Sequence, residues 1–233
     1  MEKENRHSKY KKALQNNKLL KDLDEKILEF FLKDVEEEIW PPETCSINKP
    51  ATVNRFHFII SGRLKVYKVD QTTGREFTLF LLKKNDVFDV LCLLDGIRHD
   101  VFYETLDRMT MLSTPMERMR EWVKNYPQIN KNLLPYLSDQ MRVLEEYASN
   151  ITLIDISTRL ARLILKNINA ESHELELIND LSNEELANLI GSTRAVVNRH
   201  LQDFKSEGIL NLGREKVEIR NLELLLNKAN SRS

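Results

Sequence analysis

Between Leu181 and Phe204 the chain carries a run of residues whose local chemistry leaves few backbone options. In Ser182-Asn183-Glu184-Glu185 the serine hydroxyl can accept from the third helical amide while Glu185 reaches back to the cap amide, the reciprocal pattern that starts a helix. Leu186, Ala187, Leu189 and Ile190 line that helix, and Gly191 follows, a residue free to take the left-handed conformation that ends one. Ser192 or Thr193 can then cap a second helix whose apolar side is Val196, Val197, Leu201 and Phe204. Helix, glycine turn, helix is the spacing of a helix-turn-helix. Small Ala187 permits close approach of the two helices. The ribbon from Gly208-Ile209-Leu210 to Ile219, with strands Ile209–Leu212 and Lys216–Ile219 about Gly213, reads as a wing.

On the second helix Arg194, Ala195, Asn198 and Arg199 face away from the apolar residues. They occupy its N-terminal half, the part that enters the major groove of duplex DNA in such motifs. Arg199 can give two hydrogen bonds to guanine O6 and N7, and Asn198 can pair with adenine N6 and N7. The same residues would also suit an ordinary solvated helix face, and charge placement weighs against that. From Asn167 to Thr193 there are acids (Glu171, Glu174, Glu176, Asp180, Glu184, Glu185) and no Lys or Arg, whereas from Arg194 onward Arg194, Arg199, Lys205, Arg214, Lys216, Arg220, Lys228 and Arg232 outnumber the acids. A positive field thus starts at the second helix. Phosphate contacts are expected from Ser192, Thr193, Lys205 and the wing's Arg214 and Lys216.

Such a local field matters because the whole chain has none: 35 Lys and Arg against 36 Asp and Glu over 233 residues leave a formal charge of −1, which excludes a histone-like or polybasic protein. With 41% hydrophobic and 30% charged residues, and only 6 Gly and 6 Pro, the mixture is that of a globular chain. The two cysteines, Cys45 and Cys92, exclude a disulfide scaffold. No apolar run approaches the length of a membrane span, the longest being Phe77 to Leu82. The charged start, Met1 to Lys12, lacks the apolar core of a signal peptide, so a cytoplasmic location is expected. No Gly-rich phosphate loop, His-x-x-x-His metal pair or nucleophile elbow is present, and no enzymatic activity is expected.

Upstream, residues 1 to 36 place Leu20, Leu23, Ile27, Phe30 and Phe31 at helical spacing, which predicts one or two short amphipathic helices covering another element. From Glu38 to about Ser113, short runs rich in Val, Ile, Phe and Tyr alternate with turn residues such as Ser61-Gly62, Asp70–Gly74 and Lys84–Asp86, a pattern for an antiparallel sandwich or small barrel. In Arg63–Val69, Leu64, Val66 and Lys68 share one face, which predicts one dry and one wet side. Beyond Pro115 the period turns helical: Leu134, Leu137, Met141, Leu144, Ala148 and Ile151 make a heptad seam. It suits either a helix packed on its own β-domain or a parallel dimer helix with Arg142, Glu145 and Glu146 as its rim. Asp155 to Ile168 is a further amphipathic helix, closed by the polar stretch Asn167–Glu174. The organisation expected is 1–131, an N-terminal β domain, which the resemblance described next implies to be a β-roll effector or sensor domain; 132–154, a dimerisation helix and hinge; 155–233, a winged helix-turn-helix DNA-binding domain.

The run from Leu181 to Leu201, followed by Glu207-Gly208-Ile209-Leu210, resembles the C-terminal winged helix of the Crp/Fnr regulators, and Phe58-Ile59-Ile60-Ser61-Gly62-Arg63-Leu64-Lys65-Val66-Tyr67 resembles their β-roll signature. The resemblance implies an α+β fold: an N-terminal antiparallel β-roll, cupin-like and cyclic-nucleotide-binding-like, then a long dimerisation helix and a winged helix-turn-helix. It implies a homodimeric transcription regulator on a palindromic operator, with RNA polymerase as a further partner and a small-molecule effector.

Two departures stand out. Where many members have Arg-Glu-Thr-Val-x-Arg, with the Glu accepting from cytosine, this chain has Ala195, which offers only a methyl group to thymine. Cyclic-AMP binders also carry Gly-Glu followed by Arg-Ser or Arg-Ala around the phosphate. Here Asp89-Val90 and Arg98-His99-Asp100 stand in those places, and acids there oppose an anion. The hydroxyl pair that would meet adenine falls at Leu144 and Glu145. Asp89, Val90, Arg98, His99, Leu144 and Glu145 are therefore the expected effector pocket, for an effector other than cyclic AMP. The alternatives are a sensor dependent on haem or another small ligand, with His57, His99, Cys45, Cys92 or a Met as axial ligand, or a cyclic-nucleotide-binding module. An iron–sulfur cluster needs more thiolates than two cysteines supply; neither a cofactor nor a metal is expected.

Overall fold

The structure, a computed structural model, describes residues 2–46, 54–169, 175–213 and 217–231. It divides into two compact units, Met1–Thr72 with Leu79–Met141, and Thr73–Thr78 with Arg142–Ser233.

The first unit opens with α1 (Glu2–Gln15) and α2 (Glu25–Phe31). Tyr10, Leu14, Leu28 and Phe31, with Leu19, Leu20 and Leu23 between the helices, bury against Phe56, Phe58, Met119 and Trp122. Each large side chain so buried contributes about 1.5–3 kcal/mol, which is why this charge-rich segment is helical at all. Phe30, expected on the same face, is instead half exposed, with its ring 5.9 Å from that of Trp122.

The strands are β1 (Glu36–Trp40), β2 (Cys45–Ser46), β3 (Arg55–Ser61), β4 (Leu64–Val69), β5 (Glu76–Leu82), β6 (Val87–Phe88), β7 (Phe102–Thr105) and β8 (Met109–Pro115), with the short helix α3 (Val90–Asp95) before β7. They form two four-stranded sheets, ordered β1-β8-β3-β6 and β2-β7-β4-β5. Ile59, Leu64, Val66, Leu82, Phe88, Tyr103 and Met111 pack together within the roll. The β3–β4 turn needs glycine: Gly62 has φ +90°, and a Cβ there would lie 2.9 Å from the Arg108 carbonyl oxygen and Met109 Cα.

One strand departs from its pattern. In β4 the run Leu64–Tyr67 is buried on both sides, and Lys68 is exposed rather than sharing the dry face of Leu64 and Val66. Lys65 opposes Glu104 of β7 and forms an ion pair with it. Its ammonium also lies 4.6 Å from the centre of the Tyr67 ring. The long stem covers apolar surface while the charged head is paired, so the expected wet face is closed.

α4 (Met116–Asn125) leads into α5 (Pro127–Leu153). Ile129, Leu133 and Tyr136 of α5 join the core, Asn132 Nδ2 donates to the Leu19 carbonyl at 3.1 Å, and the Tyr136 hydroxyl donates to that of Val87 at 2.9 Å. The seam lies elsewhere on the helix. Leu134 is 68% exposed and Met141 70%; Leu144, Ala148 and Ile151 are also exposed, and Leu137 alone of the seam packs partly on the core.

In the second unit α6 (Ile156–Lys166) starts at Asp155, whose carboxylate accepts from the Thr158 amide at 3.0 Å and its hydroxyl at 2.7 Å. Then come α7 (Asn183–Ile190), α8 (Arg194–Ser206), the ribbon β9 (Leu210–Leu212) and β10 (Val217–Ile219), and α9 (Leu222–Asn230). The last helix has its own start signal, the Asn221 side chain accepting from the Leu224 amide at 3.0 Å. Leu160, Ala161, Ile164, Leu186, Leu189, Val197, Leu201, Phe204 and Leu225 are buried.

Candidate nucleic-acid interface

The turn between α7 and α8 is built as its residues dictate. The Ser182 hydroxyl accepts from the Glu185 amide at 3.2 Å, and Glu185 Oε2 accepts from the Ser182 amide at 2.7 Å. Gly191 closes α7 at φ +64°, and the Ser192 amide then donates to the Ala187 carbonyl at 2.9 Å. These bonds satisfy helix-end groups that would otherwise need water, and they set where α8 begins.

α8 buries Val197, Leu201 and Phe204 and half-buries Val196. Its opposite face presents Arg194, Ala195, Asn198 and Arg199 to solvent, with Thr193 and Lys205 exposed at its two ends. Among the described residues, Arg194, Arg199 and Lys205 have no acidic partner. Asn198 is oriented by a neighbour: its Oδ1 accepts from Asn183 Nδ2 at 3.2 Å. A carbonyl oxygen has a second lone pair, so the amide can still address a base edge. Asn183 is not among the expected site residues; its place directly after the capping serine, as the first residue of α7, is the signal for it. His200 Nδ1 stands 3.5 Å from Asp203 Oδ2, which turns that ring toward its own helix.

Two expectations change here. Thr193 stands at the cap position of α8 but makes no side-chain cap bond. Ser192 is buried, and its hydroxyl is sealed from solvent with no partner among the described residues. The tight turn draws this side chain inward, so it cannot reach a phosphate from there; free amides at the start of α8 remain suited to that contact. Arg214 and Lys216 lie outside the described residues.

Residues 158–228 match the model of the Crp-like helix-turn-helix domain. Over 197 residues the chain is 27% identical to the global nitrogen regulator of Synechocystis, covering 79% of this chain and 87% of that one. It is 28% identical over 180 residues to a CRP-like cAMP-activated global transcriptional regulator of Mycobacterium tuberculosis, covering 76% and 80%. Residues 158–228 thus carry a Crp-like helix-turn-helix domain, and the chain as a whole is similar to Crp-like regulators. Its fold is shared with solved structures: a CooA mutant from Carboxydothermus hydrogenoformans at TM-score 0.71 and 24% identity, covering 86% of this chain and 90% of that one, and the c-di-GMP-responsive regulator CLP of Xanthomonas campestris at 0.73 and 19%, covering 85% and 100%. Among the described residues, no helix is long and apolar enough to cross a membrane.

The β-roll holds four of the expected effector residues. Asp89 sits at φ +69° ahead of α3, with Oδ1 sealed from solvent and unpartnered among the described residues. Burial raises its carboxyl to about 6, against the Cys92 amide, which lowers it. Val90 is buried, His99 half-buried and Arg98 exposed, and among the described residues Arg98 has no ion pair with Asp95 or Asp100. Burial and then Lys68 lower the His99 imidazole. Leu144 and Glu145, on the second unit's part of α5, are exposed. The roll adds Tyr103, which the sequence reading did not single out: its hydroxyl is buried and unpartnered among the described residues, and burial, then Asp89, push it well above the usual phenol range. Alternation along β7 was the signal for it. Of the axial-ligand candidates, His57 is wholly buried and stacked on Phe88 at 4.4 Å; Cys92 is buried and Cys45 exposed.

Proposed function

We propose that this Crp/Fnr regulator works as a homodimer on a two-fold symmetric operator, with α8 of each protomer in successive major grooves and α5 pairing along Leu134, Met141, Leu144, Ala148 and Ile151. The observation that carries this reading is the solvent-facing set Arg194, Asn198 and Arg199, in which neither arginine has an acidic partner among the described residues. The exposed apolar seam, apart from Leu137, supports self-association, because apolar side chains this exposed along one stripe gain from burial. Arg199 reads guanine, Asn198 reads adenine, and Ala195 has a methyl group for thymine in place of a cytosine acceptor. RNA polymerase is the natural further partner, and the cytoplasm is where such a protein meets DNA.

The effector is a small molecule other than cyclic AMP, because a carboxyl at Asp89, already reluctant to ionise, would lose further by meeting a cyclic phosphate. Relatives named for cAMP and c-di-GMP show that this fold does not dictate one ligand. Selection of bound duplexes from a random pool tests the reading. The expected outcome is a symmetric site with half-sites about one helical turn apart and binding that falls steeply with salt. A pool that never enriches would overturn it.

A further inference from the structure

The second unit contains a cleft bounded by α5, α6 and the end of α7, with about 50 Å³ of enclosed space and a mouth open to solvent. Its walls combine an apolar body, including Tyr147, Leu163 and Ile190, with three cations, Arg159, Arg162 and Lys166, and one carboxylate, Glu146.

Those cations are not neutralised alike. Lys166 pairs with Glu146 at 2.8 Å. Arg162 donates only to neutral oxygens, the Ala229 carbonyl at 2.9 Å and Asn150 Oδ1 at 3.0 Å. Arg159 Nη1 donates to the Ile190 carbonyl at 2.6 Å, while its Nε–H is sealed from water with no partner among the described residues. Burial lowers the Arg159 guanidinium, and Asp155 acts against that without lining the cavity. A buried N–H left unmade is costly, and a charged guanidinium facing a cavity is suited to a planar carboxylate.

We propose that this cavity is a binding site for a small organic carboxylate with an apolar body, held by Arg159 and Arg162 at its charged end and by Tyr147, Leu163 and Ile190 along its length. It is separate from the β-roll residues considered as an effector pocket, and it does not depend on which DNA the chain binds. An occupant would touch both the C-terminal half of α5 and Ile190, the last residue before the Gly191 turn.

The test uses the full-length protein without DNA, with benzoate as the probe, benzamide as its neutral twin, and amide and methyl NMR shifts as the readout. Saturable benzoate binding is expected, with shifts centred on α5, α6 and Ile190 and affinity roughly tenfold above that of benzamide. Glu146→Gln removes the cavity's own carboxylate and should tighten benzoate roughly two- to fivefold, while Lys166→Met should weaken it by a similar factor. Opposite signs from two surface substitutions cannot come from unfolding. Equal binding of benzamide, shifts centred elsewhere, an unchanged affinity in Glu146→Gln, or no saturation by benzoate would each overturn the proposal.

Discussion

The helix-turn-helix and the β-roll treat their polar groups in opposite ways. On α8 the arginines and Asn198 stand in water, held only by a helix whose other face is buried, with Asn183 steadying the amide. In the roll, Asp89 Oδ1 and the Tyr103 hydroxyl are shut away from solvent with no hydrogen-bond partner among the described residues. A surface that must meet a highly charged polymer can leave its donors hydrated until contact. An interior that keeps unsatisfied groups forgoes stability to hold them. In the proposed function, DNA recognition falls to one helix face and sensing to a folded interior.

The contrast can be broken most directly at the α5 seam that would pair two protomers. Met141→Glu with Leu144→Glu should leave the first unit's core intact, because neither residue belongs to it. The protein should become monomeric in sedimentation, and operator affinity should fall toward the non-specific level, on the order of 10³-fold. A variant that stayed dimeric would move the interface elsewhere.

Asp89 sharpens the interior side of the comparison. Its folded carboxyl titrates near 6 against an ordinary 3.8, so stability is full below about pH 3.8 and is lost as pH rises through 6. Asp89→Asn should therefore stabilise the protein at pH 7.5 by about 2 kcal/mol and give no gain near pH 4, as read from urea unfolding at both values. Destabilisation at pH 7.5 would mean that the carboxylate is needed as an ion.

Glu38 provides the reverse sign in the same roll. The His57 imidazole, 3.6 Å away, and then the Ser113 hydroxyl and Trp40 indole hold its carboxyl down at about 2, against burial, which raises it. That contribution is present above about pH 4.5 and lost as pH falls toward 2. Glu38→Gln should cost about 1 kcal/mol at pH 7, since solvent screens this partly exposed group, and should flatten the acid limb of the stability curve. An unchanged acid limb would remove Glu38 from the network.

How much of this was readable in advance follows the same division. The capping box, the Gly191 stop and the exposed face of α8 depend on residues within a few positions of one another, so short spacings in the sequence predicted each of them. The alternation of β4 misled because Lys65 is closed over by Glu104, about forty positions away in the chain, and pairing at that range leaves no periodic trace. Ser192 looked like a surface hydroxyl by type and by place, and only the tightness of the turn turns it inward. Tyr103 and the arginines of α6 were visible as residues and invisible as sites. Neither a buried hydroxyl without a partner nor a cavity between helices can be recognised before the packing is known.

The central claim rests on Arg199, and a single comparison tests it. Fluorescence anisotropy of wild type and Arg199→Ala, on the selected operator and on a scrambled duplex at one salt concentration, should show operator preference dropping roughly 10- to 100-fold in the variant, while binding to the scrambled duplex changes far less. Equal preference in the two proteins would contradict the assignment of α8 as the element that reads DNA.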